Sequence, residues 1–421
     1  MRIGIMLRHY EQHEGGVKHY TKTLLPLLFS LGAQHEYVLV YRDPKLVGTY
    51  AGYPNVEELV SRVPGPILWD QLGVPWATRN RKLDIIFNPK FTVPFLHRAK
   101  KIFVLHGSEW FAIPSHFRWC DRLYCRTVVP WYCRSADALI TVAKKVKDDA
   151  VHYVRADPAK IFPIHNAIDP RQFHFIEDQA RLAVVRSRYE LPERFVLWVG
   201  QIESRKNVKR LLQAFAEVAR EFPHRLVIAG ERRWSTGGEL AELGALGLAD
   251  RVRFLGWVSH ADLPAIYRLA ELFAFPSLYE GFGIPLVEAM ACGCPVLTAN
   301  TCAPPEVLDG AGCLVDPYDV RSIAAGLRMT LGDPALRAAM AARGLERAKE
   351  FSWEKCAREV LGVFDAVGPG RAASADRAAE AGHSSRAQRE TAGRAGKTLS
   401  PGSRQPQLAP VARSTRGHSA G

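Results

Sequence analysis

Two glutamates, Glu280 and Glu288, lie eight residues apart around a glycine-rich turn, Gly281-Phe282-Gly283. The turn follows a run that predicts a strand and precedes a run that predicts a helix. The first turn of a helix leaves backbone N–H groups unpaired and attracts anions, and glycines let a phosphate approach the backbone closely. Carboxylates repel phosphate but accept hydrogen bonds from hydroxyl groups. The segment therefore predicts a diphosphate with hydroxyl groups on the two glutamates, although a plain strand–turn–helix unit with two solvated glutamates fits equally well.

Two adjacent cations, Arg205 and Lys206, follow the apolar run 195–199 and precede a predicted helix. Cations between the end of a strand and the start of a helix can clamp a diphosphate. An isolated Arg-Lys pair is more commonly a pair of solvated surface charges, so the residues themselves leave both interpretations open.

Two further features stand where open α/β sheets bind ligands, at the carboxyl end of a strand. His106 directly follows the predicted strand 101–105, and Gly15-Gly16 opens the predicted helix 17–31. The glycines would let a phosphate or a sugar approach the backbone. By position alone, a loop histidine and a tight turn explain both features.

The segment 277–298, SLYEGFGIPLVEAMACGCPVLT, resembles the Glu-x7-Glu signature of retaining glycosyltransferases with the GT-B fold. It is similar in particular to glycosyltransferase family 4, the glycosyl transferases group 1 proteins. The resemblance covers residues 1 to about 367 and is strongest over 195–312. It implies two catalytic residues that contact the donor sugar, His106 and Glu280. It also implies a donor-binding set that holds the nucleotide and its phosphates: Gly15, Gly16, Arg205, Lys206, Gly281, Phe282, Gly283 and Glu288.

Two positions depart from the family pattern. Ala167 stands where the segment from Asn166 to Asp169, at the domain junction, usually has glycine, which puts the shape of that turn in doubt. Gln201 stands where many members have arginine, so one phosphate contact is either missing or supplied by Arg205.

Strand-like and helix-like segments alternate twice along the chain, which predicts two α/β domains with mostly parallel sheets. In the GT-B arrangement these are two Rossmann-like domains that face a central cleft, where we place the site. The predicted boundaries are an N-terminal acceptor-side domain at 1–170, a linker at 171–194, a C-terminal nucleotide-sugar-binding domain at 195–351, a helix at 352–367 that packs back on the first domain, and a disordered basic tail at 368–421.

Individual elements are predicted from apolar runs and from their polar or glycine boundaries. The predicted strands are 2–7, 37–41, 84–87, 101–105, 138–142, 161–164, 195–199, 225–230, 252–255, 271–276 and 294–298. Residues 61–82 predict a helical region.

The composition is that of a globular protein with two cores. The chain has 421 residues, of which 47% are hydrophobic, and it has no apolar run of about twenty residues that would span a membrane. Its N-terminus lacks the pattern of a signal peptide. Because the eight cysteines form no Cys-x-x-Cys pair, we expect no metal site. The predicted location is the cytoplasm, including the inner face of the membrane.

The net charge of +13 is partly a property of the tail. Residues 368–421 hold nine basic and three acidic side chains, so +6 of the charge lies there and +7 elsewhere. The remaining charge suits an anionic substrate or an anionic membrane surface, and it does not demand a specific nucleic acid. Residues 116–134 mix arginines with four tyrosines and tryptophans. This segment is either a membrane-contacting surface or a partly buried helix with snorkelling arginines.

The resemblance implies a retaining, metal-independent hexosyltransferase. The enzyme would move a mannose- or glucose-type hexose from a nucleotide diphosphate sugar to a saccharide or lipid-linked acceptor, in surface polysaccharide or glycoconjugate synthesis. No cofactor is expected, and the chain contains no Asp-x-Asp motif. Two alternatives share the fold: a non-catalytic nucleotide-sugar-binding scaffold, and a nucleotide-sugar epimerase or a phosphorylase. A dinucleotide oxidoreductase is less compatible, because the glycine fingerprint after the first strand is incomplete.

Overall fold

A computed structural model describes residues 1–11, 15–230 and 243–369 of the chain. Within these residues, two parallel sheets form the framework, as predicted. The strands of the first sheet are β1 (Arg2–Met6), β2 (Glu36–Tyr41), β3 (Val56–Val60), β4 (Ile85–Asn88), β5 (Lys100–Leu105), β6 (Ala138–Thr141) and β7 (Ile161–Pro163). Their spatial order is β3-β2-β1-β4-β5-β6-β7.

The second sheet is built from the described strands that follow residue 194. They are β8 (Phe195–Val199), β9 (Arg225–Ala229), β10 (Val252–Gly256), β11 (Leu272–Phe275), β12 (Val296–Ala299) and β13 (Cys313–Val315), in the spatial order β10-β9-β8-β11-β12-β13. Central strands such as β8 and β11 are continuous apolar runs because helices cover both faces of a parallel sheet. Below, the first domain and the second domain are the parts of the chain built on these two sheets.

Helices connect the strands on both faces of each sheet. The longer ones are Gly16–Leu31, Trp119–Ser135, Lys144–Val154, Gln179–Arg188, Val208–Val218, Leu263–Leu269, Ile284–Ala291, Val320–Gly332, Pro334–Ala348 and Trp353–Val367. The last of these packs against the helix Gly16–Leu31 of the first domain. None of the described helices is long and apolar enough to cross a membrane.

Several segments differ in detail from the sequence prediction. The region 61–82 holds a continuous helical run over 66–78, shorter than predicted, in which the α-helical segments Pro66–Leu68 and Val74–Thr78 flank a π-helical segment, Trp69–Gly73. The polar segment 171–194 contains the helix Gln179–Arg188, which packs on a helix of the second domain. The predicted disordered tail lies, from residue 370 onward, outside the described residues.

The domain junction accommodates the missing glycine. Ala167 is buried and is not among the described residues with positive φ. Its neighbour Ile168 forms a parallel β-bridge with Ser352, just before the last helix. The turn therefore does not require the glycine that the family usually has there.

Candidate active site

The glycine turn after β11 lies against the backbone of the first domain. Gly283 has a φ of 95° and caps the helix Ile284–Ala291, a conformation that glycine adopts without a steric penalty. A Cβ atom on Gly281 would overlap the carbonyl oxygen of His106. The turn and the end of β5 therefore meet directly, and a side chain at position 281 has no room.

The side chain of Glu280 is buried and forms an ion pair with Lys206. The Nζ atom of Lys206 lies 2.7 Å from Oε1 of Glu280, and Nη1 of Arg205 lies 3.7 Å from the same oxygen. Burial alone would raise the pKa of Glu280, but the charges of Lys206 and Arg205 outweigh it and hold that pKa below its ordinary value. The two predicted phosphate-binding cations are thus counterions of the predicted sugar-binding carboxylate.

Backbone hydrogen bonds tie the loop of the two cations to the glycine turn. Arg205 and Lys206 end a short 3-10 turn ahead of the helix Val208–Val218. The N–H of Leu278 donates to the carbonyl oxygen of Arg205 at 2.8 Å. The side chain of Asn207 donates to the carbonyl oxygen of Pro276 at 2.9 Å. These bonds hold the cations at a fixed place beside Glu280.

His106 is held as a neutral hydrogen-bond acceptor. Its Nε2 lies 2.8 Å from the carbonyl oxygen of Pro89, so that nitrogen carries the proton and Nδ1 is left as an acceptor. Burial lowers the pKa of His106 to about 4, and the charge of Lys90 acts in the same direction. At neutral pH, His106 can therefore accept a hydrogen bond from a hydroxyl group through Nδ1.

Glu288 has a different environment from Glu280. Its Oε2 accepts a hydrogen bond of 3.0 Å from the hydroxyl group of Tyr267. Burial raises the pKa of Glu288 to about 7, so its carboxyl group is partly protonated at neutral pH. In that state it can both donate to and accept from a hydroxyl group of a ligand.

The other predicted residues surround this group with different contacts. Gly15 and Gly16 begin the first helix, and Tyr20, four residues further on, packs its ring edge-on to His106 at 5.0 Å. The ring of Phe282 packs on Phe351 at 5.5 Å, close to the domain junction. A contribution of Phe282 to donor binding would therefore come from its backbone.

Sequence reasoning missed two residues of this region. Glu109 follows His106 by three positions, and burial raises its pKa, although the charge of Arg205 opposes the effect. Tyr279 directly precedes Glu280, and its hydroxyl group forms hydrogen bonds with Ser108 and Asp149 of the first domain. Proximity in sequence to His106 and Glu280 is the signal that could have identified both.

Comparison with known proteins agrees with the fold and the motifs. Residues 185–347 match the family model for glycosyl transferases group 1, and residues 14–172 match the one for glycosyltransferase family 4. The chain is 32% identical over 295 residues to the O-antigen chain mannosyltransferase B of Escherichia coli. That alignment covers 69% of this chain and 76% of the E. coli protein.

Solved structures share the architecture at low sequence identity. Sucrose-phosphate synthase from Thermosynechococcus elongatus superposes with a TM-score of 0.70 at 21% identity, covering 86% of this chain and 98% of that chain. Anabaena HepE, in complex with UDP-glucose, superposes with a TM-score of 0.69 at 18% identity, covering 87% of this chain and 100% of that chain. The chain therefore belongs to glycosyltransferase family 4 and is a glycosyltransferase with the GT-B fold.

Proposed function

We propose that this protein is a retaining, metal-independent hexosyltransferase. It transfers a mannose- or glucose-type hexose from a nucleotide diphosphate sugar to a saccharide or lipid-linked acceptor, in surface polysaccharide or glycoconjugate synthesis. The observation that carries the proposal is the buried Glu280, just before the helix Ile284–Ala291 in the chain, in an ion pair with Lys206 and with the partly buried Arg205 at 3.7 Å. Together these side chains supply two cations for a diphosphate and one carboxylate for sugar hydroxyl groups.

The reaction follows from an exchange of partners at Lys206. A donor diphosphate takes the place of Glu280 as the counterion of Lys206 and Arg205, and these cations with the helix N-terminus stabilise the leaving group. Glu280 is then available to accept hydrogen bonds from the hexose, and His106 does so through Nδ1. The bond from the anomeric carbon to the diphosphate breaks, a bond to the acceptor oxygen forms on the same face, and the hydroxyl proton leaves with the diphosphate.

Two comparisons suggest which donors to test first. The E. coli protein that covers most of this chain is an O-antigen chain mannosyltransferase, which supports GDP-mannose and a polysaccharide acceptor. The Anabaena structure holds UDP-glucose, which supports that donor as the second choice.

A thermal-shift and turnover experiment on the full chain tests the proposal. UDP, GDP, ADP and their sugar conjugates are added with magnesium or with a chelator, and nucleotide release is measured with mannose and glucose oligosaccharides as acceptors. One nucleotide is expected to stabilise the protein equally under both conditions, and nuclear magnetic resonance should show an α-linked product from an α-linked donor.

Other results of this experiment would favour one of the alternative functions or refute part of the proposal. Stabilisation without turnover would favour a non-catalytic scaffold, and a changed sugar that remains on its nucleotide would favour an epimerase. Loss of binding in the chelator would refute metal independence. Absence of any shift with every nucleotide would refute the donor site itself.

A membrane as partner is part of the proposal, and the helix Trp119–Ser135 supports it. Trp119 is 71% exposed, Leu123 is 56% exposed and Trp131 is 62% exposed, and their spacing of four and eight places them on one face. Three exposed arginines belong to the same segment: Arg118, Arg126 and Arg134. An exposed aromatic face with arginines fits the interface of an anionic bilayer.

Two segments that lie against this helix also carry exposed leucines. Gln71 accepts a hydrogen bond from the backbone of Phe95, and the ring of Phe95 stacks on Tyr132 at 4.9 Å. Leu72 and Leu96 follow Gln71 and Phe95 in the chain and are exposed, Leu72 to 59% and Leu96 to 93%. Exposed apolar side chains that cluster on a surface can mark a site of protein or membrane contact.

Vesicle sedimentation tests the membrane contact independently of catalysis. The full chain should sediment with phosphatidylglycerol–phosphatidylcholine vesicles and not with phosphatidylcholine alone. The double variant Trp119→Ser/Trp131→Ser should lose most of this binding. Trp257→Ser serves as the control, because Trp257 is 66% exposed on the second domain. Equal binding by the double variant would contradict the assignment.

A further inference from the structure

The hydroxyl group of Tyr279 bridges the second domain to two parts of the first. It accepts a hydrogen bond from the backbone N–H of Ser108 at 2.6 Å and donates one to Oδ2 of Asp149 at 3.0 Å. The ring is 2% exposed, so both bonds are shielded from water. Ser108 lies two residues after His106, and Asp149 lies on the helix Lys144–Val154.

Glu306 holds the same helix at its N-terminus. Its carboxylate oxygens accept hydrogen bonds from the backbone N–H groups of Lys144 at 2.9 Å and Lys145 at 3.0 Å. These two residues begin the helix, where unpaired N–H groups and the helix dipole favour an anion. The same carboxylate lies 2.6 Å from Nε2 of His165. A side chain of the second domain thus caps a helix of the first.

Both contacts are coupled directly to Glu280. Tyr279 is its chain neighbour, and Ala303, at the start of the short helix that carries Glu306, donates its N–H to the carbonyl oxygen of Glu280 at 3.3 Å. Between them, Gly281 lies against the carbonyl oxygen of His106. The contacts that join the domains therefore involve residues next to the point where Gly281, the chain neighbour of Glu280, meets the backbone of His106.

We infer that Tyr279 and Glu306 form a closure latch, in which two side chains of the second domain grip the helix Lys144–Val154 and thereby fix Glu280 against His106. Tyr279 is a positioning residue in this scheme, because it acts through Glu280 and His106. Opening the cleft exchanges each latch bond for a bond to water, and the net free energy of such an exchange is small. The latch can therefore close and release in each catalytic cycle.

The variant Tyr279→Phe tests the latch because it removes one oxygen atom and keeps the ring. The matched control is Tyr37→Phe, since Tyr37 is also fully buried and its hydroxyl group donates to a backbone carbonyl of the first domain. We expect kcat to fall about tenfold or more in Tyr279→Phe, as catalytic groups become misplaced. The donor KM should stay within about twofold, because Lys206 and Arg205 are untouched. Nucleotide release from GDP-mannose or UDP-glucose measures both constants.

Two measurements test closure without turnover. The first is the radius of gyration of the full chain by small-angle scattering, and the second is hydrogen exchange of residues 144–154. The double variant Tyr279→Phe/Glu306→Gln should have a larger radius and faster exchange than the wild type. Asp178→Asn is the control. Asp178 caps the helix Gln179–Arg188, which packs on the second domain, so this variant removes a helix-capping carboxylate outside the latch.

Only the turnover measurement depends on the proposed function. The scattering and exchange measurements do not, so a failure of the latch can be distinguished from a failure of the proposed function. If the wild type releases no nucleotide from either donor, scattering and exchange still decide the latch. Unchanged radius and exchange in the double variant would overturn the inference, even if turnover fell. A fall in kcat no greater than that of Tyr37→Phe would also overturn it.

Discussion

Replacing Lys206 by methionine should destabilise the free protein, because it leaves the charge of Glu280 buried beside a neutral side chain. The two side chains are 11% and 8% exposed, and their charged atoms are 2.7 Å apart. Removal of one partner from a buried ion pair costs about 3–5 kcal/mol. Arg205 remains 3.7 Å from Glu280, so we expect the lower end, about 3 kcal/mol.

Thermal and chemical unfolding without ligand measure this effect. A loss of about 3 kcal/mol corresponds to a fall in Tm of roughly 6–12 °C for a domain of this size. The double variant Lys206→Met/Glu280→Gln removes both charges and should recover most of the loss. The resulting double-mutant cycle should give a coupling free energy of at least about 2 kcal/mol.

A surface ion pair of the same length provides the control. Lys349 and Glu346 also lie 2.7 Å apart, but their side chains are 68% and 73% exposed. Lys349→Met should therefore cost less than about 1 kcal/mol. Equal stability losses in Lys206→Met and Lys349→Met, or a double variant as unstable as the sum of its two single variants, would refute the reasoning.

Two further predictions concern the glycine turn and the second glutamate. Gly281→Ala should lower kcat/KM at least about a hundredfold, because the new methyl group overlaps the carbonyl oxygen of His106 and holds the cleft open. An unchanged kcat/KM would contradict the packing. The pKa of Glu288 rises from 4.5 to about 7 on folding, so the folded state binds the extra proton and stability should fall as pH rises from about 4.5 to 7, by about 3 kcal/mol. Urea unfolding of Glu288→Gln should show a flatter dependence on pH than that of the wild type.

The central strands could be predicted from sequence because burial on both faces demands continuous apolar residues. The prediction missed β3, whose sequence VEELV contains two glutamates, because β3 is at the edge of the first sheet and is only partly buried. It also missed β13, which has three residues and lies at the edge of the second sheet. A short edge strand forms mainly because it pairs with its neighbour in the sheet, so its own residues give little indication that it is a strand.

Most residues of the candidate site could be predicted from the sequence, but the contacts between them could not. Glycine spacing and strand ends indicated Glu280, Lys206 and His106 as separate candidates. Their pairing was not visible, since Lys206 and Glu280 are 74 positions apart and the bond between them depends on side-chain geometry. The role of Tyr279 was hidden for the same reason, because its partners are Ser108 and Asp149 of the other domain.

The pairing of Lys206 with Glu280 has a consequence for the order of events in the proposed reaction. While the diphosphate is absent, Lys206 occupies Oε1, one of the two carboxylate oxygens that Glu280 offers to the hexose. A free hexose must compete with that ion pair, whereas a diphosphate offers Lys206 and Arg205 a stronger anionic partner. In the proposed reaction, recognition of the sugar would thus depend on the diphosphate attached to it, and this dependence would distinguish an activated donor from the free sugars of the cell.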